Sequence, residues 1–445
     1  MIPDLKRSLA DYGILLVLIA LCALFSMLTN TRQQPRGAAA ARQVLAEVLA
    51  QQPAPKRVLV VCRESADESQ LASAIVDGLR NAQLEVLELK GEPPDVRRGL
   101  IVLQQQRRAV DIVACSETTA GWSLISELPS VFPELGSPRV VSPRGYYWPT
   151  FLTAGNLLNV ANQISVIAIV AIGMTMVIIA GGIDLSVGSL IALSAVITGL
   201  VIREWGGATQ ASIGAMILAS AVGILTCGFV GLATGIALTR FRVPPFIVTL
   251  SAMMMVSGIA SKLTNNESVY QIPDSFVWLG RGTTGGLPNT VIFMLVLYLA
   301  AWFVMTRTSL GRYLYAVGGN MAAARLSGVP VKRVVVSAYV VSALLAGLGG
   351  VIMTSYLKSA SPSYGAMYEM YVIAAVVVGG TSLSGGEGKM LGTLLGALVI
   401  AVISNGMNLL NVESNMQRVV LGLLILGAVL MDCLQRYGWR QRVDR

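Results

Sequence analysis

Histidine is absent from all 445 residues. The commonest metal ligand and the commonest general base near neutral pH are therefore both missing. Cysteine is sparse: Cys22, Cys62, Cys115, Cys227 and Cys433 stand far apart, with no C-x-x-C pair. That spacing suggests neither zinc nor a redox dithiol, so no metal and no cofactor is expected. Charge is scarce too, at 13% of residues against 54% hydrophobic. A soluble chain of this length cannot hide so much apolar surface, so a bilayer must serve as part of its solvent. The net charge of +9 is read as membrane topology rather than as a nucleic-acid footprint, because the basic residues gather between apolar runs.

Composition divides the chain into three. Residues 1–30 hold a first transmembrane helix, 31–147 are polar and read as a soluble insertion, and 148–445 form a core with about nine transmembrane helices. The run from Tyr12 to Leu28 follows Lys6 and Arg7 as a signal peptide would, but no cleavage site of the A-x-A kind directly follows it, so a retained helix is expected. Crossing the hydrocarbon takes about 20 apolar residues. Further spans are expected near 160–180, 187–202, 211–238, 245–264, 288–306, 334–356, 369–381, 390–406 and 416–432.

Charge orients these spans. With a cytoplasmic N-terminus and alternating loops, the inside receives Lys6, Arg7, Arg240, Arg242, Arg307, Arg312, Arg325, Lys332, Arg333, Lys389, Arg436, Arg440, Arg442 and Arg445. The outside receives only Arg203, Lys262, Arg281, Lys358 and Arg418. The bias is about three to one inward, and the long 31–147 segment is exempt from the rule. An α-helical polytopic protein of the cell inner membrane is expected, with about ten transmembrane helices, both termini cytoplasmic and 31–147 extracytoplasmic.

Within the insertion, strand runs at Arg57–Cys62, Leu84–Leu89, Val110–Ala114 and Arg139–Val141 alternate with helical stretches ending at Arg80, over Pro93–Arg108 and over Glu117–Leu128. This period indicates a small doubly wound α/β domain. It lacks G-x-G-x-x-G, so dinucleotide binding has no support. The pattern resembles one lobe of a periplasmic sugar-binding protein, but the length covers only about half a lobe pair, so its role reads as docking or spacing. Cys62 and Cys115 both fall at strand ends, and the sequence leaves their pairing open.

Two apolar pieces of the core are short. Ser189 to Ile202 reads as a half-span following Gly181-Gly182-Ile183-Asp184-Leu185-Ser186-Val187-Gly188. Val372 to Val378 is brief before Gly379-Gly380-Thr381-Ser382-Leu383-Ser384-Gly385-Gly386. Such glycine-interrupted pieces predict discontinuous helices lining a path, and their likeness leaves a distant internal duplication open. Asp184 is the acid placed at membrane depth, where an ionisable group is costly and a functional candidate by default. With Ser186 and Ser189 it can hydrogen-bond a polar solute, or it can cap the helix that follows; the two roles are compatible. Asn405 and Asn408, one turn apart, suit interhelical hydrogen bonds or solute contact.

The loop 307–333 is long and basic. Asn320 can cap a short helix through Ala322, Ala323, Arg325, Leu326 and Ser327, ended by Gly328-Val329-Pro330. It reads either as a lever for another protein's groove or as a basic loop that only fixes topology. Leu383-Ser384-Gly385-Gly386-Glu387 mimics the signature of ABC ATPases. Yet the chain's Gly388-Lys389 pair is followed by Met390 and has Leu383 where a P-loop needs glycine. No P-loop exists to cradle phosphates, so the match to that signature is coincidental.

Several blocks run in one order: Trp148-Pro149-Thr150-Phe151-Leu152, Ala154-Gly155-Asn156-Leu157-Leu158-Asn159, Ala171-Ile172-Gly173-Met174-Thr175, the Asp184 stretch, Thr308-Ser309-Leu310-Gly311-Arg312-Tyr313, Gly318-Gly319-Asn320, Arg325-Leu326-Ser327-Gly328, Gly379-Gly380-Thr381-Ser382 and Asn405-Gly406-Met407-Asn408-Leu409-Leu410. Together they resemble the ribose-type permeases of ABC importers. The resemblance implies a monosaccharide-translocating subunit, itself no enzyme, seated in membrane lipid and working as a permease homodimer. It implies a cytoplasmic ABC ATP-binding subunit on residues 320–328 and a periplasmic sugar-binding protein, with no nucleic-acid partner. The 31–147 insertion departs from that pattern. The alternative, an ion-coupled secondary transporter of a small polar solute, requires a relay of embedded ionisable groups. A membrane-anchored sensor would not need nine downstream helices.

Overall fold

The computed structural model describes residues 2–35 and 37–443, with side chains over 13–35 and 37–430. The side chains of Lys6, Arg7, Cys433, Arg436, Arg440 and Arg442, and all of Arg445, lie outside the described residues. The chain divides into two units, Met1–Thr29 with Phe151–Arg445, and Asn30–Thr150. Helix α1 (Ile2–Leu28) opens the larger unit.

The smaller unit contains β1 (Asn30–Gln33), α2 (Gly37–Leu49), β2 (Arg57–Cys62), α3 (Ala66–Asn81), β3 (Glu85–Lys90), α4 (Pro93–Gln105), β4 (Ile112–Cys115), β5 (Arg139–Val141) and β6 (Tyr146–Pro149). Strands β3, β2, β4 and β5 form one parallel sheet in that order. Its central strands are apolar on both faces because helices cover both. Ala40, Val44, Ile75 and Leu79 pack on one face, Val96, Leu100, Leu128 and Leu135 on the other. Strand β1 pairs antiparallel with β6, a ribbon the sequence reading does not contain.

Two expectations for this unit need correction. Helix α2 is unforeseen, although Ala40, Ala41, Val44 and Val48 are buried at helical spacing. The expected helix over Glu117–Leu128 is instead three short turns, Glu117–Ala120, Ser123–Ser126 and Leu128–Val131. Gly121 and Pro129 favour the breaks.

The cysteine question resolves through strand register. Cys115 pairs with Val61, so Cys62 is one residue out of phase and lies on the opposite face. Both are free thiols. Burial pushes Cys62 up to about 11 and Cys115 up to about 12. Alkylation of the denatured, unreduced protein should modify both residues; recovery of a linked Cys62–Cys115 peptide would contradict this register.

The larger unit continues with α5 (Ala154–Ile179), α6 (Val187–Glu204), α7 (Ile213–Phe241), α8 (Pro245–Thr264), α9 (Asn289–Arg307), α10 (Ser309–Gly319), α11 (Met321–Leu326), α12 (Val331–Leu357), α13 (Tyr368–Val378), α14 (Met390–Leu409) and α15 (Ser414–Val443). Among the described residues, seven helices are long and apolar enough to cross a bilayer: α5, α6, α7, α8, α9, α12 and α14. Three shorter apolar helices, Gly13–Leu28, Tyr368–Val378 and Ser414–Leu430, stand at the remaining expected positions. The protein is an α-helical polytopic membrane protein. Helix α6 is no half-span: it starts at Val187 and runs 18 residues, because Arg203 and Glu204 extend its last turn. Helix α13 is short as expected, at 11 residues.

Lipid tails give helices no hydrophobic reason to associate, so small residues must allow close backbone contact. Helix α12 is the hub. A Cβ at Gly231 of α7 would sit 2.5 Å from that of Ala343, and one at Gly235 would sit 2.9 Å from Val336 Cα. Gly350 presses on the Ile191 carbonyl of α6 at 2.4 Å, and Gly173 of α5 on Ser342 Cα at 2.5 Å by the same measure. Helix α8 by contrast exposes Phe246, Ile247, Met254, Met255 and Ile259.

Candidate functional site

Helix α5 ends because Gly181 takes φ +83°, a left-handed turn that suits glycine. Gly182 then passes Tyr339 so closely that a Cβ would lie 2.4 Å from its hydroxyl. Tyr339 and Thr249 both donate to the Ile183 carbonyl, at 3.4 and 3.3 Å. Asp184 is 1% exposed. Its Oδ1 accepts from the Ser186 N–H at 3.0 Å and the Ser186 hydroxyl at 2.6 Å, while Oδ2 accepts from Ser342 of α12 at 2.9 Å. Ser189 donates to the Ser186 carbonyl at 2.8 Å. The carboxylate thus ties the break between α5 and α6 to α12, and its described partners are protein groups. Ser342→Ala removes one of three donors to a buried carboxylate and should cost about 1–3 kcal/mol. The readout is a lowered thermal midpoint in detergent; an unchanged midpoint would contradict the tie.

The second glycine pair lies at the end of α13. Gly380 has φ +82°, and a Cβ at Gly379 would meet the Gly392 carbonyl of α14 at 2.6 Å. The loop beyond returns to the first break: the Gly386 N–H donates to the Ile179 carbonyl at 2.8 Å. Gly318, at the end of α10, closes on the same place. A Cβ there would lie 1.7 Å from the Ile179 oxygen and 2.5 Å from Gly386 N. The Tyr315 hydroxyl, one turn earlier, donates to the Gly388 carbonyl at 2.7 Å. Three backbone segments, distant in sequence, therefore meet in a joint made of glycine. The Leu383–Glu387 stretch that mimics an ATPase signature is part of this joint.

Beyond the joint the chain turns at Asn320, whose Oδ1 accepts from the Ala323 N–H at 2.9 Å and caps α11. Gly328 ends the segment with φ +82°. Ala322, Ala323, Arg325, Ser327 and Gly328 are exposed, and Leu326 is 91% exposed. The sequence reading missed α10 within this basic loop, yet Leu310, Leu314 and Val317 recur at helical spacing and Thr308 caps it.

Not every candidate side chain joins this assembly. Asn405 exchanges two 2.9 Å hydrogen bonds with Asn156 of α5, and Asn408 accepts from Gln417 at 2.8 Å. Asn156 precedes the end of α5 by about 35 Å at 1.5 Å per residue, so this cluster lies far from Asp184. A second buried acid went unread. Glu369, 9% exposed in the first turn of α13, reaches Gly188 so closely that a Cβ there would lie 2.3 Å from Glu369 Oε2. Its signal was an acid opening the apolar run Tyr368–Val378. Among the described residues, no group of three or more His, Cys, Asp or Glu is arranged to hold a metal ion.

With this geometry in view, the relatives are informative. The family described as branched-chain amino acid transport system / permease component matches residues 156–429, more than half of the chain. The ribose import permease protein of Escherichia coli strain K12 is 43% identical over 288 residues, 64% of this chain and 87% of that protein. The ribose import permease protein of Bacillus subtilis is 41% identical over 287 residues, 64% of this chain and 86% of its own length. The D-allose transport system permease protein of Escherichia coli is 37% identical over 284 residues, covering 64% and 85%. No solved structure matches.

Proposed function

The chain belongs to the branched-chain amino acid transport system / permease component family, among its ribose-type permeases, and from that premise we propose that it carries a monosaccharide inward on ATP hydrolysed by a separate subunit. The ribose and allose permeases among its relatives support the substrate class. The glycine joint carries the mechanism: Gly318, two residues before the cap of α11, packs on the first break at Ile179 and on the loop that follows the second break at Gly386.

In this reading α11 seats in a groove of the ATP-binding subunit, with Leu326 and Arg325 as its contacts. Closure of that subunit moves α10, and the joint passes the movement to the Asp184 and Gly379–Gly380 breaks, opening the path to alternate sides. Asp184, Ser186 and Ser189 hold the first break in shape, and Gly188 leaves room for Glu369 beside it. A sugar-binding protein delivers solute from outside, and two copies of the chain enclose the path. Both termini lie in the cytoplasm of an inner-membrane protein and Asn30–Thr150 lies outside, as the distribution of basic residues suggests. That unit serves docking or spacing; at the ends of its strands Glu68 accepts from the Arg63 N–H, Ser116 and Thr119.

Uptake assays separate the substrate classes. Labelled ribose should enter cells expressing the complete system and be displaced by allose, whereas leucine should neither enter nor compete. Leucine uptake with no sugar uptake would overturn the monosaccharide assignment.

A further inference from the structure

A cavity of about 880 Å³ opens beside α11. Three separate stretches bring cations to it: Arg240 and Arg242 at the end of α7, Arg325 in α11, and Lys332 in the first turn of α12. Among the described residues, no carboxylate lines it. None of the four makes an ion pair among the described residues. The N-termini of α8 and α12 also border the cavity, neither of them capped by a side chain, and each adds the positive end of a helix dipole. The topology rule accounts for basic residues on this side of the membrane. It does not account for their convergence from three segments on one space without an acid.

A second groove of about 410 Å³ shares Lys332. Lys332 and Arg333 stand at its head, and Val336 and Val340 continue it along α12. The two spaces together offer a cationic pocket and an apolar lane running along a membrane helix. A soluble phosphate compound would fill only the first.

We infer that this cavity binds the phosphate of an acidic membrane phospholipid, with an acyl chain lying along Val336 and Val340. Basic pockets between transmembrane helices suit such headgroups, and the field of an anionic leaflet adds to each cation's contribution. The bound lipid bridges α7, α12 and α11 and borders Gly181 and Gly182, so it stands between the lever and the first break. The placement on the cytoplasmic leaflet rests on the topology proposed above.

The test uses the delipidated full chain, without other subunits, titrated with phosphatidylglycerol, with phosphatidylcholine of the same acyl chains, or with glycerol 3-phosphate, and read by native mass spectrometry. Phosphatidylglycerol should bind in preference to phosphatidylcholine, and glycerol 3-phosphate should not displace it. Arg240→Gln combined with Lys332→Gln should weaken phosphatidylglycerol binding about thirty-fold. Arg203→Gln combined with Lys262→Gln, at the other end of the spans, should leave it unchanged. Equal binding of the two lipids, or an unaffected Arg240/Lys332 variant, would overturn the inference. Efficient displacement by glycerol 3-phosphate would assign the pocket to a soluble phosphate instead. Stoichiometric displacement of the lipid by an added ATP-binding subunit would assign it to an acidic side chain of that protein. Because the permease is tested alone, a negative result leaves ATP-coupled import standing, and failure to recruit an ATP-binding subunit leaves lipid binding standing.

Discussion

Gly318→Val should abolish sugar-stimulated ATP hydrolysis and uptake while leaving the ATP-binding subunit attached. The first atom of any side chain at this position would stand 1.7 Å from the Ile179 carbonyl oxygen, and both obstacles, Ile179 O and Gly386 N, are backbone atoms. No rotamer relieves that overlap, so α10 must move away and the Gly386 N–H to Ile179 bond must stretch or break. Overpacking of this kind costs about 1–3 kcal/mol or more. At 1.4 kcal/mol per factor of ten, the joint's closed arrangement loses about ten- to a hundredfold in population. Gly319→Ala is the control, because a Cβ there meets nothing within 4 Å. Wild-type uptake by Gly318→Val would remove the joint from the mechanism.

Arg325→Glu should sever the permease from its motor. Arg325 is exposed on α11 and α11 lies outside the membrane-spanning helices, so the reversal should leave insertion and folding intact. Against a surface that accepts a basic, apolar-tipped helix, a like-charge juxtaposition costs several kcal/mol. The expected result is loss of ATP-binding subunit from the purified complex and a fall in uptake of about a hundredfold or more. Arg240→Gln with Lys332→Gln keeps α11 unaltered and should retain the subunit, which separates this contact from the neighbouring cationic cavity. A normal complex and normal uptake in Arg325→Glu would contradict the role given to α11.

Much of the membrane fold was legible because lipid imposes long apolar runs that a single sequence displays. Local chemistry was legible too: Asn320 caps α11 through its own side chain three residues away, and Gly379–Gly380 announced where α13 must stop. Non-local partners were not legible. The interhelical hydrogen bonds of Asn405 go to Asn156, 249 residues earlier. Glu369 is buried through its neighbours, including Gly188 from another helix, so the acid went unnoticed. The glycine pairs could be singled out one by one, but nothing in their spacing says that Gly181, Gly318 and Gly386 converge. The half-span assigned at Ser189–Ile202 erred by treating Arg203 and Glu204 as outside the helix, where they pair with each other in its last turn.

The ATPase-like stretch at Leu383–Glu387 is instructive for the same reason. Its glycines serve close backbone approach: Gly385 and Gly386 adopt φ +83° and +76° and lie against Gly181 and Gly319. A phosphate-gripping signature and a packing joint both need glycine, and only the surroundings tell them apart.

Reconstitution into liposomes decides the central claim. The purified chain, its ATP-binding subunit and a sugar-binding protein should together give uptake that consumes ATP and is stimulated by sugar. Omitting the ATP-binding subunit should abolish both uptake and hydrolysis, even under a proton or sodium gradient. ATP hydrolysis by the chain alone, or gradient-driven sugar uptake without that subunit, would contradict the account.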